Sequence, residues 1–534
     1  MSQSQKKQSF LHGAALLAGA TAIVKIIGAL YKLPLKMVIG DQGYSYFCTA
    51  YDIYSVLLLI STAGLPVAMS RMISQSSSLG QYRQVRRVYN TAQLLFLTLG
   101  AASSLLMILF CKQLAAFQQQ PSAAAAILAL GPCAFLMGLM STYRGFFQGQ
   151  GNMIPTSTSQ ILEALFKLAV GLIAALALLK VTNSISLAAA GAILGVTVSC
   201  VVSSVYLWSC FRKAYGGLPQ TEEAVTSYRK TIGQLLAIAV PITIGAAGLQ
   251  MLTVVETRLY MRQLLTANGL SQDLADTQKG IYNMAQTIYN MPNAFIAPIT
   301  ISVIPTVTSH LTLKNHQGVK STEESAARVT ALLSLPCAVG LMLLSRPIMA
   351  LLGGYSGENL ELASMLMSLM GISVFLHAIV LFTNSVMQSH GHANIPVVNM
   401  LCSGVLKLVL VYILTGNPAI GILGVPMGTA LCNLCIAVLN LLAIRLCIPQ
   451  KPALIRNLLR PLLPALIMGA AAFGAWQALI RFLGADTSRV ILCGVPIAVG
   501  GVVYLFFVVM LKSITREDCL LLPKGEKIAK LLRL

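Results

Sequence analysis

Charge is what this chain has least of. Only 10% of its 534 residues are Asp, Glu, Lys or Arg, against roughly 25% in a soluble domain. Acids are the scarcer sign, 16 against 37 Lys and Arg, for a net charge of +21. The six His are scattered. There is no phosphate-cradling G-x-x-x-x-G-K-[S/T] loop, no H-E-x-x-H, no Ser-His-Asp order and no His/Cys spacing that suits a metal. Hydrolytic, nucleotide-driven and metal chemistry thereby lose their usual signatures, and neither enzyme activity nor a cofactor is expected. The twelve Cys lie mostly in apolar runs. Cys432 and Cys435 make a lone C-x-x-C within one such run, and packing is the simpler reading for them.

What is there in abundance is apolar sequence. The chain is 56% hydrophobic, with a mean hydropathy of +0.77. That composition predicts an all-α membrane protein of about fourteen transmembrane helices, since a span needs roughly 20 apolar residues. The expected spans are 10–35, 45–66, 88–110, 123–143, 157–180, 187–209, 232–257, 281–308, 328–352, 360–387, 395–416, 419–447, 461–482 and 489–511. The N-terminus has signal-peptide features, Lys6 and Lys7 ahead of an apolar run. The run continues to Leu35, however, and reads as an uncleaved first span. With the N-terminus in the cytoplasm, 24 of the 37 basic residues fall in inside segments and 9 in outside ones. That asymmetry places both termini in the cytoplasm. It also assigns the basic excess to membrane orientation and anionic lipid, with no nucleic acid as a partner.

An internal repeat organises the spans. Gln148, Gly151, Pro155 and Lys167 recur as Gln388, Gly391, Pro396 and Lys407, offset by 240 residues at the Gln, Gly and Lys positions. The domains expected are a first lobe of six spans (1–210), a cytoplasmic linker (211–231) and a second lobe of six (232–448). Two additional helices (449–511) and a basic amphipathic tail (512–534) follow. An even number of spans per repeat relates the lobes by an axis along the membrane normal, with a substrate site between them.

Ionisable residues within spans are expensive, and by default they mark function. Four Lys qualify, Lys25, Lys32, Lys167 and Lys407, with the acids Asp52, Glu163 and Glu256. At about 1.5 Å per residue, Lys25 and Asp52 come to similar depth in an antiparallel hairpin and are expected to pair. Glu163 precedes Lys167 by four residues, the favourable order for a pair on one helix face. At the repeat position Lys407 has Ser403 in place of the acid. Prolines 66, 241, 292, 298, 305 and 336 are hinge candidates.

The stretch Lys25-Ile-Ile-Gly28, Tyr31-Lys-Leu-Pro34-Leu35, Gly40, Gly43, Tyr51-Asp-Ile-Tyr54 and Ser61-Thr-Ala-Gly-Leu-Pro66 resembles the start of polysaccharide exporters similar to stage V sporulation protein B. These belong to the multidrug/oligosaccharidyl-lipid/polysaccharide (MOP) superfamily, with the MurJ-type lipid II flippases. The resemblance implies two six-helix lobes around a cationic cavity, and two extra helices that shape a groove for a lipid tail. It also implies a flippase for an undecaprenyl-diphosphate-linked sugar, foremost the peptidoglycan precursor, working by alternating access. Lys25, Lys32, Asp52, Arg71, Lys167 and Lys407 are the expected substrate-binding residues. Membrane lipids and cell-wall synthesis proteins are the other expected partners. The rivals are a multidrug or cation antiporter of the same superfamily, an exporter of another lipid-linked polysaccharide unit, and a non-transporting scaffold for wall assembly.

Overall fold

Gly40 sets the shape of the first element. In the computed structural model α1 (Gln3–Thr62) is two helical segments joined there, at φ 69°. Only glycine takes that conformation without a Cβ penalty. The loop expected between the first two spans is therefore a break inside one long helical element. The structure describes residues 3–449, 452–484, 487–515 and 518, apart from the side chains of 3–19, 22, 25, 26, 29, 249, 301 and 302. Among the described residues the secondary structure is helical, and thirteen helices are long and apolar enough to cross a membrane. The expected tail helix beyond 518 lies outside the described residues.

The chain divides into two compact units. The first holds residues up to Arg262 together with Leu270–Gly280; the second holds Gln263–Gly269 and everything from Ile281. The contact division thus falls later than the lobe boundary expected at 231. Helix α8 (Tyr228–Thr266) packs within the first unit as far as Arg262.

In the first unit α2 (Leu65–Ser78), α3 (Tyr82–Leu109) and the short α4 (Cys111–Phe117) lead to α5 (Ala124–Gly149), α6 (Ile154–Thr182) and α7 (Ile185–Gly216). The α6–α7 pair is the tightest because small residues face each other across it. A Cβ on Gly195 would lie 2.3 Å from Gly171, and one on Gly191 would lie 2.7 Å from the Ala174 carbonyl. Close backbone approach through small residues is the membrane alternative to hydrophobic burial. The loop after α7 folds back over α3. Glu223 accepts from the free amides of Arg83 and Gln84 at 2.6 and 3.0 Å, while Arg86 donates to Leu218. It thereby supplies from a distance the N-cap that α3 lacks locally.

The second unit begins where α9 (Gln272–Thr312) passes Gly280. It contains α10 (His316–Leu343), the short α11 (Ser345–Leu352), α12 (Gly357–Ser389), α13 (Asn394–Gly416) and α14 (Gly424–Cys447). The interfacial α15 (Leu454–Leu459) and the hairpin α16 (Leu462–Leu483) and α17 (Arg489–Met510) follow. Long, short, long, long, long is the order from α3 to α7, and it recurs from α10 to α14; α3 and α10 are each 28 residues. The repeated Q-x-x-G is the same turn in both units. Gly151 (φ 77°) and Gly391 (φ 80°) sit in the left-handed region, with their amides on the Gln148 and Gln388 carbonyls. The next amides, Asn152 and His392, reach back to Phe147 and Met387, a helix stop of the Schellman kind.

The additional helices are fastened at one end by a buried arginine. Arg328, on α10, makes a two-nitrogen contact with Asp518 at 2.9–3.1 Å and donates to Asn457 of α15. Asp518 is fully buried. Nearby, Glu323 takes His390 at 2.7 Å. Along the middle of α10, α16 and α17 an apolar groove of about 300 Å³ is left open.

Candidate functional site

The first unit gathers its ionisable groups on one ladder of rings. In the second segment of α1, Tyr44, Phe47, Tyr51 and Tyr54 follow at helical spacing, with successive centroids 6.2, 4.9 and 6.0 Å apart. Tyr31, from the first segment, meets Phe47 edge-on at 6.0 Å, and its hydroxyl is held by the Ala192 carbonyl at 3.2 Å. Gly171 makes room for it: a Cβ there would lie 2.6 Å from the Tyr31 hydroxyl. Lys167 of α6 extends over these rings, its Nζ 4.6 Å from the Tyr51 centroid and 5.5 Å from that of Tyr31. A cation on a desolvated aromatic face is held by about 2 kcal/mol and keeps its N–H groups free to turn toward an anion.

Beside it lies a cavity of about 350 Å³, lined by Gly28, Tyr31, Arg144, Gln160, Glu163 and Lys167 among others. Arg144 pairs with Glu163 at 3.0 Å, and its Nε donates to Ser159 at 3.0 Å. This corrects two expectations. Glu163 takes its direct ion pair from α5, not from Lys167, on which it acts only at longer range. Arg144, expected in a loop, lies inside α5 and is partly buried. Arg144 and Lys167 against Glu163 leave the cavity wall at +1. Gln160 adds a buried amide oxygen that has no hydrogen-bond partner.

The side chain of Lys25, the expected partner of Asp52, lies outside the described residues. Among the described cations, Lys279 and Lys32 act on Asp52. Lys32 in turn repels Lys167. Lys279 was expected outside the membrane. It is fully buried in the first turns of α9, donating to Thr49 and, at 2.7 Å, to Gln120. Gln120 passes the network to Asp276 at 2.6 Å, and Tyr46 and Gln272 complete that carboxylate at 3.1 and 3.0 Å. A buried ammonium persists only with this much compensation. Gly280 makes the contact possible, because any side chain there would overlap the Asp41 carbonyl.

The remaining candidates separate. Arg71 is exposed on α2, away from the cavity lining. Lys407 is partly buried on α13 in the second unit. At the places that correspond to Arg144 and Ser159 the second unit has a neutral amide network: Asn440 donates to Thr383 at 3.0 Å and Asn384 at 2.8 Å, and accepts from Asn399 at 2.9 Å. Cys432 donates its thiol to the Ser403 carbonyl at 3.3 Å, within the packing of α13 on α14. Sequence reasoning missed Arg144 and Lys279. The available signal was that each lies within one or two turns of an apolar run.

Helices throughout the described residues, a doubled five-helix order and cations gathered inside one unit are the architecture of a multi-pass membrane transporter. The polysaccharide biosynthesis protein family model matches residues 10–310 and the MatE model matches 272–413. The chain belongs to the polysaccharide biosynthesis protein family. Its curated relatives include the membrane protein YabM of Bacillus subtilis (strain 168), 26% identical over 99% of this chain and 97% of that one. Stage V sporulation protein B of the same organism is 24% identical over 79% of this chain and 81% of that one. Among solved structures, lipid II flippase MurJ in an inward closed conformation superposes with a TM-score of 0.68 at 15% identity, covering 93% of this chain and 98% of that one. That likeness shows that the chain shares the fold of that structure.

Proposed function

We propose that this protein flips an anionic lipid-linked sugar, an undecaprenyl-diphosphate carrier bearing a cell-wall precursor of the lipid II kind, with both termini in the cytoplasm. The observation that carries the reading is Lys167, held over Tyr31 and Tyr51 at the edge of a cavity it shares with Arg144. A diphosphate is attracted there by Lys167, which the aromatic floor keeps from collapsing onto an acid, beside the Arg144–Glu163 pair. Lys32 continues the positive field toward Asp52. Lys25 and Lys407 join them in this reading by their places in the sequence. The lipid tail stays in the bilayer, the two lobes rock, and no covalent step is needed. The similarity to MurJ and to stage V sporulation protein B supports this class of cargo.

The MatE match keeps an antiporter as the second reading. An antiporter for organic cations needs carboxylates available to cations and protons. In the first unit Glu163 is engaged by Arg144, and Asp52 faces two Lys. The deciding experiment is reconstitution into liposomes with several defined lipid-linked sugar diphosphates. Translocation that falls in Lys167→Ala and Arg144→Ala supports the flippase. Export of an organic cation at equal efficiency, with no movement of any lipid-linked sugar, refutes it.

A further inference from the structure

Given a lipid-linked sugar diphosphate as the cargo, which is the reading proposed above, we infer that Gln160 sorts cargo by its first sugar, accepting a hydrogen bond from a hydroxyl or amide N–H next to the diphosphate. Gln160 lines the cavity of about 350 Å³ with Gly28, Tyr31, Arg144, Glu163 and Lys167. Its amide oxygen is buried and has no hydrogen-bond partner, which is costly until a donor reaches it. The other polar groups of the lining are cations or are engaged. Tyr31 donates to the Ala192 carbonyl, Glu163 pairs with Arg144, and Thr21 has an interaction of its own. The last torsion of a glutamine is broad and two-fold, so the amide turns its oxygen toward the cavity at little cost.

Gln160 also stands at the end of the cationic stretch. Gln160, Glu163, Ala164 and Lys167 follow on α6 at the spacing of one helix face. Arg144 is tied to the same stretch by Ser159, the residue before Gln160, and by Glu163. A diphosphate held between Lys167 and Arg144 therefore ends at the Gln160 amide. Its two ends differ in chemistry: one carries an isoprenoid chain, the other a sugar. The isoprenoid has no donor, and ionised phosphate oxygens accept without donating. Only the sugar end brings the amide oxygen a hydrogen. Room for a ring comes from the α1 wall, where Gly28 lines the cavity and a Cβ meets nothing within 4 Å.

The sugar substituent nearest the diphosphate is the one on the carbon next to the anomeric carbon. A hydroxyl there donates its O–H and an acetamido group its N–H, so both suit Gln160. A 2-deoxy sugar brings no donor to that place and leaves the amide unpaired. A site built to bond a polar group rejects an analogue lacking it far more strongly than an apolar pocket rejects a missing methylene. Charge does not make this distinction, because every sugar ester presents the same ionised diphosphate to Lys167 and Arg144. The cations hold the cargo, and Gln160 sorts it.

The test runs two measurements on the full chain: binding by thermal shift in detergent across a concentration series, and translocation in proteoliposomes. The probes are undecaprenyl diphosphate esters of N-acetylglucosamine, glucose, 2-deoxyglucose and methanol, all of one charge. Wild type should bind the first two about equally and the last two about tenfold more weakly, the loss of one hydrogen bond with its own partner left unpaired. Gln160→Met, close in volume, should bind all four at the weaker level without a lower lipid-free unfolding temperature. Lys167→Gln should weaken all four and keep the tenfold difference. Gly28→Leu, which adds bulk in open space, should weaken the sugar esters and spare the methyl ester. Wild-type affinities for glucose and 2-deoxyglucose esters within about twofold, a Gln160→Met variant that keeps the difference, or unchanged sugar-ester binding in Gly28→Leu would each overturn the assignment. Translocation of sugar esters without that difference in binding removes the role of Gln160 and leaves the flippase standing. The difference in binding without any translocation does the opposite, and no binding of any ester overturns both.

Discussion

Neutralising Lys167 should weaken capture of an anionic lipid carrier without unfolding the protein, and removing Glu163 should do the reverse. The cavity wall carries Arg144 and Lys167 against Glu163. Lys167→Gln takes its charge from +1 to zero, and Glu163→Gln raises it to +2. At 4 Å and an effective dielectric near 20, one ammonium attracts one phosphate charge by about 4 kcal/mol before desolvation is counted. The net worth of a hydrogen bond to a charged group is about 1.5–3 kcal/mol. Lys167→Gln should therefore raise the half-saturating concentration of lipid-linked diphosphate on the order of 10- to 150-fold. Lys167→Arg should keep most of the affinity, since guanidinium also sits well on an aromatic face. Glu163→Gln should tighten binding and lower stability. The side chains of its pair are 12% and 26% exposed, so the loss should fall between that of a surface pair and a broken buried one, about 1–2 kcal/mol. The assay is translocation of labelled carrier in proteoliposomes across a concentration series, with thermal unfolding run on the same preparations. If Lys167→Gln saturates within twofold of wild type, or if both neutral variants shift affinity in the same direction, the electrostatic account of the cavity is wrong.

Lys279→Met should cost about 3 kcal/mol of stability, because it takes the buried ammonium away from Asp52 and, through Gln120, from Asp276; a thermal unfolding midpoint equal to wild type would contradict this. Gly151→Ala and Gly391→Ala should each cost about 1–2 kcal/mol from left-handed backbone strain, and equal losses at the two sites, read by thermal unfolding, would fit one turn used twice. The 217–227 loop should release from α3 in acid. Partial desolvation raises the Glu223 carboxyl, but hydrogen bonds from Thr221, its own amide, Gln84 and Arg83 outweigh it and hold the group below the usual glutamate range. A depressed acid stabilises the folded loop above its unfolded pKa and loses that contribution as pH falls through the folded one. Hydrogen exchange of Arg83 and Gln84 should accelerate as pH falls below the usual glutamate range in wild type and be pH-insensitive, after correction for intrinsic rates, in Glu223→Gln.

The spans and the doubled helix order were legible in the sequence because both are local and periodic: apolar runs mark helices, and Q-x-x-G marks their stop. The partners of the buried charges were not. Hydropathy windows end at a charge, so Arg144 and Lys279 were assigned to loops although α5 and α9 run through them. Helical spacing could offer Glu163 only Lys167 as a partner. The actual one is on the preceding helix, reached by an angle that no periodicity encodes. Lys279 shows the same limit at longer range, since its bonded partners Thr49 and Gln120 come from elements more than 150 residues earlier. Part of the basic excess assigned to loops is likewise internal. Lys36 is buried against Asp41 at 3.4 Å, and Arg328 is buried against Asp518.

The repeat is conserved in turn geometry but divided in charge. At the 240-residue offset Arg144, Ser159 and Glu163 correspond to Asn384, Asn399 and Ser403. In the first unit those positions form an ion pair with a hydroxyl beside it. In the second, the two asparagines join a neutral amide network through Asn440. Both arrangements tie the helix before the Q-x-x-G turn to the helices packed after it, so both satisfy the demand that polar groups within a span be bonded to protein. Only the first also leaves a cavity with net positive charge. A duplicated lobe needs the bonding in both copies, but an anion needs its cations in only one. Amides at the equivalent places hold the second lobe together without repeating the ion pair there. On that reasoning the proposed recognition of a charged head needs only the first unit, and the second is free to specialise through its additional helices.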